Sequence, residues 1–303
     1  MVLKARPWSA AGPVARLAAL AGRLGGRLRA PVTPPEPPAE AGRVYAYLGP
    51  NLALTQLHDG HFIYVDPADE SLSAHLIARG YWERWIETVV RALVQPGDRV
   101  VEVGANVGYY TLIMASRAGP TGRVKAFEAN PSVAALLRRS AEFNGYADRI
   151  SVVAAAVGER PGVAAFMLSP RNSGGGHVRG PAEAETGDRR AVELPMTTLD
   201  DACDDRPADL LRMDAEGSEL LILAGAGRLL DRSPGLRICM EWDRVQMAPR
   251  GDIAAGVGDL ARRGFRFWRI LGDASLQPVS AAAMPDLPAC DVVASRQPPF
   301  RGA

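Results

Sequence analysis

From Arg99 to the C-terminus, short runs rich in β-branched residues alternate with stretches of helical periodicity, and this alternation limits the fold more than any other feature. Strands are predicted near 99–103, 123–128, 151–155, 209–213, 236–241, 266–270 and 290–294, and helices near 107–118, 131–143, 218–230 and 252–263. Runs such as "VVEV" and "RICM" are apolar on successive residues, as strands covered on both faces must be. The pattern implies an α/β fold: a doubly wound, mainly parallel, seven-stranded sheet with helices on both faces.

Three further segments surround that core. Residues 1–40 read as a basic arm and Pro-rich linker, 41–95 as a β-rich and helical lead-in, and 96–298 as the main domain. The lead-in has the short runs of a β-meander, then "SLSAHLIARG", a helix that Asp69 or Ser71 can cap and Gly80 can stop. Within the main domain, 159–197 reads as an irregular insertion whose "SGGG" suits a solvated loop or a lid. The arm carries six basic residues and no acid before Glu36, and its arginines interrupt every apolar stretch. It therefore reads as poorly ordered, with weak contact to an anionic membrane surface as the alternative.

Lys and Arg number 35 against 34 Asp and Glu, so nothing in the net charge favours nucleic acid as a partner. Cys203, Cys239 and Cys290 lie far apart without CxxC spacing, which suits three thiols in a reducing cytoplasm.

The loop after the first strand of the alternation is "EVGANVG", or E-x-G-x-x-x-G. A dinucleotide fingerprint needs G-x-G-x-x-G, and a phosphate-cradling P-loop needs G-K-[ST]; neither is present. Glu102 in the strand would repel a pyrophosphate but suit a cation. Glu128 closes the next strand, 24 residues after Gly104, where a carboxylate can accept hydrogen bonds from ribose hydroxyls. A nucleoside with a cationic tail and no phosphate fits both, and S-adenosylmethionine is such a molecule. A nucleotide-dependent oxidoreductase is the weaker reading.

Five segments, "VVEVGANVGYYTL", "FEANP", "FNGYADRISVVAAAVG", "LLRMDAEGSE" and "CMEWD", resemble in order and spacing the FkbM-type methyltransferases, a class I, Rossmann-like family. The resemblance spans about residues 80–245, and "GYWERWIE" looks like the family's lead-in helix. It implies that Glu102, Gly104, Ala105, Asn106 and Gly108 line the methionine part of S-adenosylmethionine, that Glu128 and Ala129 hold the ribose, and that Ala156 meets the adenine.

Methyl transfer to a hydroxyl needs alignment and a proton acceptor. Asp214, Glu216 and Glu241 stand at the ends of the fourth and fifth predicted strands and are the catalytic candidates, whereas Glu219 suits a first helical turn with no further role. His177, after "SGGG", is a candidate for substrate contact. Two carboxylates near one cleft leave a divalent metal open, but no ligand set follows from the spacing. "HDGH" reads as turn chemistry, and Trp82 with Trp85 as core. The resemblance implies O-methylation of a sugar, glycolipid or secondary metabolite, with N-methylation of a peptide or metabolite as the alternative. No oligomeric state follows.

Overall fold

The structure is a computed structural model that describes residues 28–29, 42–169, 171–180, 183, 187, 189–203 and 205–300. A two-residue strand, β1 (Leu28–Arg29), precedes an antiparallel meander of β2 (Tyr45–Gly49), β3 (Leu52–Gln56) and β4 (Phe62–Val65). Helices α1 (Leu72–Arg79) and α2 (Arg84–Leu93) follow. Next come β5 (Arg99–Val103), α3 (Tyr109–Ala118), β6 (Arg123–Phe127), α4 (Pro131–Phe143) and β7 (Ile150–Val153). A smaller sheet contains β8 (Ala156–Val157), β9 (Gly162–Leu168), β10 (His177–Val178) and β11 (Arg190–Thr197). The chain continues through α5 (Leu199–Ala202), β12 (Leu210–Met213), α6 (Glu219–Ala224), α7 (Gly227–Arg232) and β13 (Arg237–Trp242). It closes with α8 (Arg244–Met247), α9 (Ile253–Arg262), β14 (Arg266–Ile270), β15 (Ser275–Val279) and β16 (Cys290–Ser295).

The large sheet has the order β1-β15-β14-β16-β13-β12-β5-β6-β7. β5, β6, β7, β12 and β13 pair in parallel, and β16 inserts antiparallel between β13 and β14. The seven expected strands are thus present, and β15 and β1 extend the same edge. Successive residues of each strand enter opposite cores. Val100, Leu210, Cys239 and Val293 pack with α1–α4, while Val101, Leu211, Ile238 and Val292 pack with α6, α7 and α9. The winding reverses between β5 and β12, which opens a crevice beyond their carboxyl ends.

Local chemistry explains the helix starts. Asn130 caps α4 by accepting the Ser132 N–H, and Pro131 takes the first helical position. At α1 the capping carboxylate is Asp69, which accepts the N–H groups of Ser71 and Ser73, and Gly80 ends the helix at φ +73.

Two expectations need correction. The helix expected over 218–230 is two short helices, α6 and α7. Between them Gly225 packs against the Gly158 carbonyl so closely that a Cβ would lie 2.2 Å from its oxygen. The segment 159–197, expected as irregular, is largely a long hairpin in which β9 and β11 pair antiparallel from Gly162↔Met196 to Leu168↔Arg190. β9, GVAAFML, carries no polar side chain and β11, RAVELPMT, mixes polar and apolar residues without a period of two, so neither strand shows the alternation that marks a half-buried strand. The expected basic arm and linker lie outside the described residues, apart from Leu28 and Arg29, which pair with β15. Among the described residues no helix is long and apolar enough to cross a membrane.

Candidate active site

A cavity of about 270 Å³ opens at the winding reversal. Its first wall is the β5–α3 loop. Gly104 adopts φ +77, and a Cβ there would lie 1.8 Å from the Asp214 carbonyl oxygen, so only glycine lets the ends of β5 and β12 meet. The N–H groups of Gly104 and Ala105 both donate to the Phe127 carbonyl at 3.0 Å. Asn106, left-handed at φ +49, donates its N–H to Glu128 Oε2 at 2.8 Å, and Asn130 donates to Oε1 at 2.8 Å. Glu128 is therefore clamped by backbone on both oxygens while still lining the cavity. Burial raises its carboxyl to about 7 against the pull of those two hydrogen bonds.

Ala129, Ala155, Ala156, Val157 and Phe166 continue this wall as an apolar slot. Gly108, expected to touch the cofactor, instead faces α4: at φ +100, its Cβ would lie 2.2 Å from Leu137 Cδ1. Its glycine is required by helix packing.

Glu102 also lies away from the cavity, contrary to expectation. It is fully buried, accepts the Thr111 hydroxyl at 2.5 Å and pairs with Arg212 at 3.2 Å. Burial raises its carboxyl to about 7, with Arg212 and Thr111 pulling the other way. The cation beside Glu102 is thus a protein side chain.

Arg212 is the residue that sequence reasoning missed. It is buried, lines the cavity, pairs with Asp214 at 3.0 Å and lies 3.9 Å over the Tyr110 ring. Burial disfavours its charge, but Asp214 and Glu102 outweigh that and raise its pKa. The available signal was an arginine inside the buried run "LLRM", in register with Glu102 across β12 and β5.

The opposite end of the cavity gathers Glu83, Asp214, Glu216, Glu241 and Asp291. Glu83 and Asp291 were not anticipated. Asp291 is the second residue of β16 and the register partner of Glu241 on β13. Burial, then Asp214, Glu216, Glu219 and Asp291, push the Glu241 carboxyl up to about 9. Burial, then Glu83 and Asp214, raise Asp291 to about 7. Glu216, at φ +51, is raised by burial and by Asp214. Glu219 is buried and accepts the Ala215 N–H at 2.7 Å. Among the described residues no group of three or more His, Cys, Asp or Glu side chains is arranged to hold a metal ion.

The last wall comes from the hairpin. Asp69 accepts the Ser173 N–H at 3.1 Å and its hydroxyl at 2.8 Å, latching the Gly-rich loop to the start of α1. Ser71, Ser173 and Gly174 all line the cavity as a result. His177 lines it too, with Nε2 held by Glu183 at 2.7 Å and Nδ1 near the Gly175 carbonyl at 3.1 Å.

A profile of the Methyltransferase FkbM domain matches residues 102–267, more than half of the chain. The chain belongs to the FkbM methyltransferase family. Protein-L-isoaspartate O-methyltransferases of Hyperthermus butylicus and Aeropyrum pernix are 39% identical over 67 residues and 41% identical over 59. Each match covers 20% of this chain and 28% or 23% of the relative, so the chain spans about a quarter of their length. Among solved structures, an O-methyltransferase from Bacillus cereus in complex with SAH gives a TM-score of 0.40 at 15% identity, covering 73% of this chain and 84% of that one. A SAM-dependent O-methyltransferase from Thermotoga maritima gives 0.41 at 14%, covering 84% of each. The FkbM match starts at Glu102 and ends at Phe267 in β14, so it includes the loop, Glu128, Asp214 and Glu241 but neither Glu83 nor Asp291.

Proposed function

We propose that this FkbM-family chain transfers a methyl group from S-adenosylmethionine to a hydroxyl oxygen of a sugar, glycolipid or secondary metabolite. The observation that carries the reading is Glu128, a carboxylate clamped by two backbone N–H groups at the mouth of an apolar slot. Each of its oxygens keeps a free lone-pair direction for a ribose hydroxyl. Ala129, Ala155, Ala156 and Val157 would enclose the adenine, and Gly104, Ala105 and Asn106 the methionine part. The acids at the far end suit the cofactor's sulfonium and ammonium charges. When bound, S-adenosylmethionine supplies a methyl group already activated on sulfur.

The protein's own task is then to align a hydroxyl, exclude water and accept its proton. Arg212 pairs with Asp214 at 3.0 Å, so one of that carboxylate's oxygens is already occupied. Glu241 holds its own proton through neutral pH. Glu216 lines the cavity without a salt bridge among the described residues, and burial moves it towards neutrality, so we assign it the proton. Asp214 and Arg212 set the charge around it, and His177 walls the acceptor side. The relatives named as O-methyltransferases support oxygen as the nucleophile.

Calorimetry with S-adenosylhomocysteine and with NADH tests the reading. Micromolar binding of the first and none of the second is expected, and the reverse result would sink it. Transfer of tritium from methyl-labelled S-adenosylmethionine to a hydroxylated acceptor, lost in Glu216→Gln, tests the base.

A further inference from the structure

Glu241 and Asp291 are register partners on neighbouring antiparallel strands. Such partners hold their Cβ atoms about 5 Å apart, and like charges so placed repel. Asp214 lies one residue beyond the last paired couple of β12 and β13, Met213↔Met240, so three carboxylates stand in a row across the strand ends. Of these three, Asp214 is the one that Arg212 contacts, at 3.0 Å. Glu241 Oε2 is buried without a hydrogen-bond partner.

A second, independent feature points into the same space. Ser218 occupies the N-cap of α6, where a serine ordinarily accepts a backbone N–H, yet its side chain caps nothing. It is 2% exposed, lines the cavity, and its Oγ has no partner. An unanswered hydroxyl and two facing carboxyls, all lining one cavity, leave buried polar groups that water or a ligand must satisfy.

The acids exceed what the cofactor requires. S-adenosylmethionine has two cationic centres to seat, the sulfonium and the ammonium, whereas four carboxyl groups, those of Glu83, Glu216, Glu241 and Asp291, line this end beside the already paired Asp214. An ammonium group offers three donors; Glu241 Oε2 and Ser218 Oγ are two unanswered acceptors, and the Asp291 carboxyl beside Glu241 is a third acceptor group on the same cavity.

We infer that the acceptor carries a protonated amine that seats on Glu241, Asp291 and Ser218, so that the substrate class is an amino alcohol or amino sugar methylated on a separate hydroxyl. This rests on the methyltransferase reading above. A protonated amine has no lone pair and is not itself the nucleophile. It anchors the molecule while the hydroxyl gives its proton to Glu216.

The test uses the full chain saturated with S-adenosylhomocysteine. Matched probes, D-glucosamine against D-glucose and 4-amino-1-butanol against 1,4-butanediol, are titrated by ligand-observed NMR. Each amine is expected to bind at least about tenfold more tightly than its alcohol, the scale of one charge-assisted hydrogen bond. The preference should fall below about threefold in Glu241→Gln/Asp291→Asn, a scale set by the same lost contacts, with thermal unfolding showing that the variant is folded. Equal binding within the pairs, no binding of either amine, or a preference that survives in the folded double variant overturns the inference. Failure of S-adenosylhomocysteine to bind at all sinks the reading beneath it.

Discussion

At the β5–β6 end of the cavity, Glu128 accepts two backbone N–H groups, and behind it Glu102 meets Arg212 and Thr111. At the β13–β16 end, Glu241 and Asp291 face each other with one Glu241 oxygen unpartnered. All four are carboxylates held out of bulk water, and burial raises the pKa of each. What differs is the company. The first end is complete before any ligand arrives, as suits a cofactor whose shape never varies. The second end holds polar groups that nothing in the protein answers, Glu241 Oε2 and Ser218 Oγ.

The largest expected effect comes from cutting the satisfied network. Arg212→Met leaves Glu102 buried without its cation and should cost about 3–5 kcal/mol in urea unfolding, the usual penalty for stranding one partner of a buried pair. Adding Glu102→Gln should recover more than half of that loss. If Arg212→Met alone is neutral, the first end is not held together as described.

Next, Glu128→Ala should weaken S-adenosylhomocysteine binding by roughly tenfold to a hundredfold, from the loss of about 1.5–3 kcal/mol of hydrogen bonding to a charged acceptor. Calorimetry would read it, and an unchanged Kd would mean that the clamped carboxylate does not serve the ribose.

A smaller effect of opposite sign is expected at the other end. The carboxyl of Glu241 moves from an ordinary 4.5 to about 9 in the folded chain. Between those values the folded state holds a proton that the unfolded state has released, so Glu241 makes stability fall as pH rises through that window. Glu241→Gln removes this loss. The variant should match the wild type near pH 4 and melt progressively higher than it as the pH is raised towards 8. A melting difference that does not grow with pH would show that the pair is not under repulsion.

The smallest effect concerns the hairpin wall. Asp69→Asn weakens the latch on Ser173 by about 1 kcal/mol, so exchange of the Ser173 amide should quicken by about fivefold. Global unfolding should shift by less than the Arg212 variant's loss.

The same division separates what could be read in the sequence from what could not. The β5–α3 loop, Glu128 and the capped start of α4 lie within one short stretch of chain, and each obeys local rules: a positive φ for Gly104, a cap at Asn130, a strand tip at Glu128. Seven strands of the large sheet followed from alternation alone, because a buried strand is marked by its own residues, whereas their order in the sheet came only from the structure. Glu102 was placed in the right strand but on the wrong side of the problem, since its partner Arg212 lies 110 positions later. The hairpin over 159–197 was missed because its strands carry no alternating signature.

By itself, then, the sequence determined the α/β architecture, the glycine-bearing loop after β5 and the acids that close strands β6, β12 and β13, because those depend on backbone conformation and apolar periodicity within a few tens of residues. Only the tertiary structure decided which carboxylates are answered and which are not. That balance is set by register across strands and by contacts such as Asp69 to Ser173, 104 positions apart, which bring together residues that no local pattern connects.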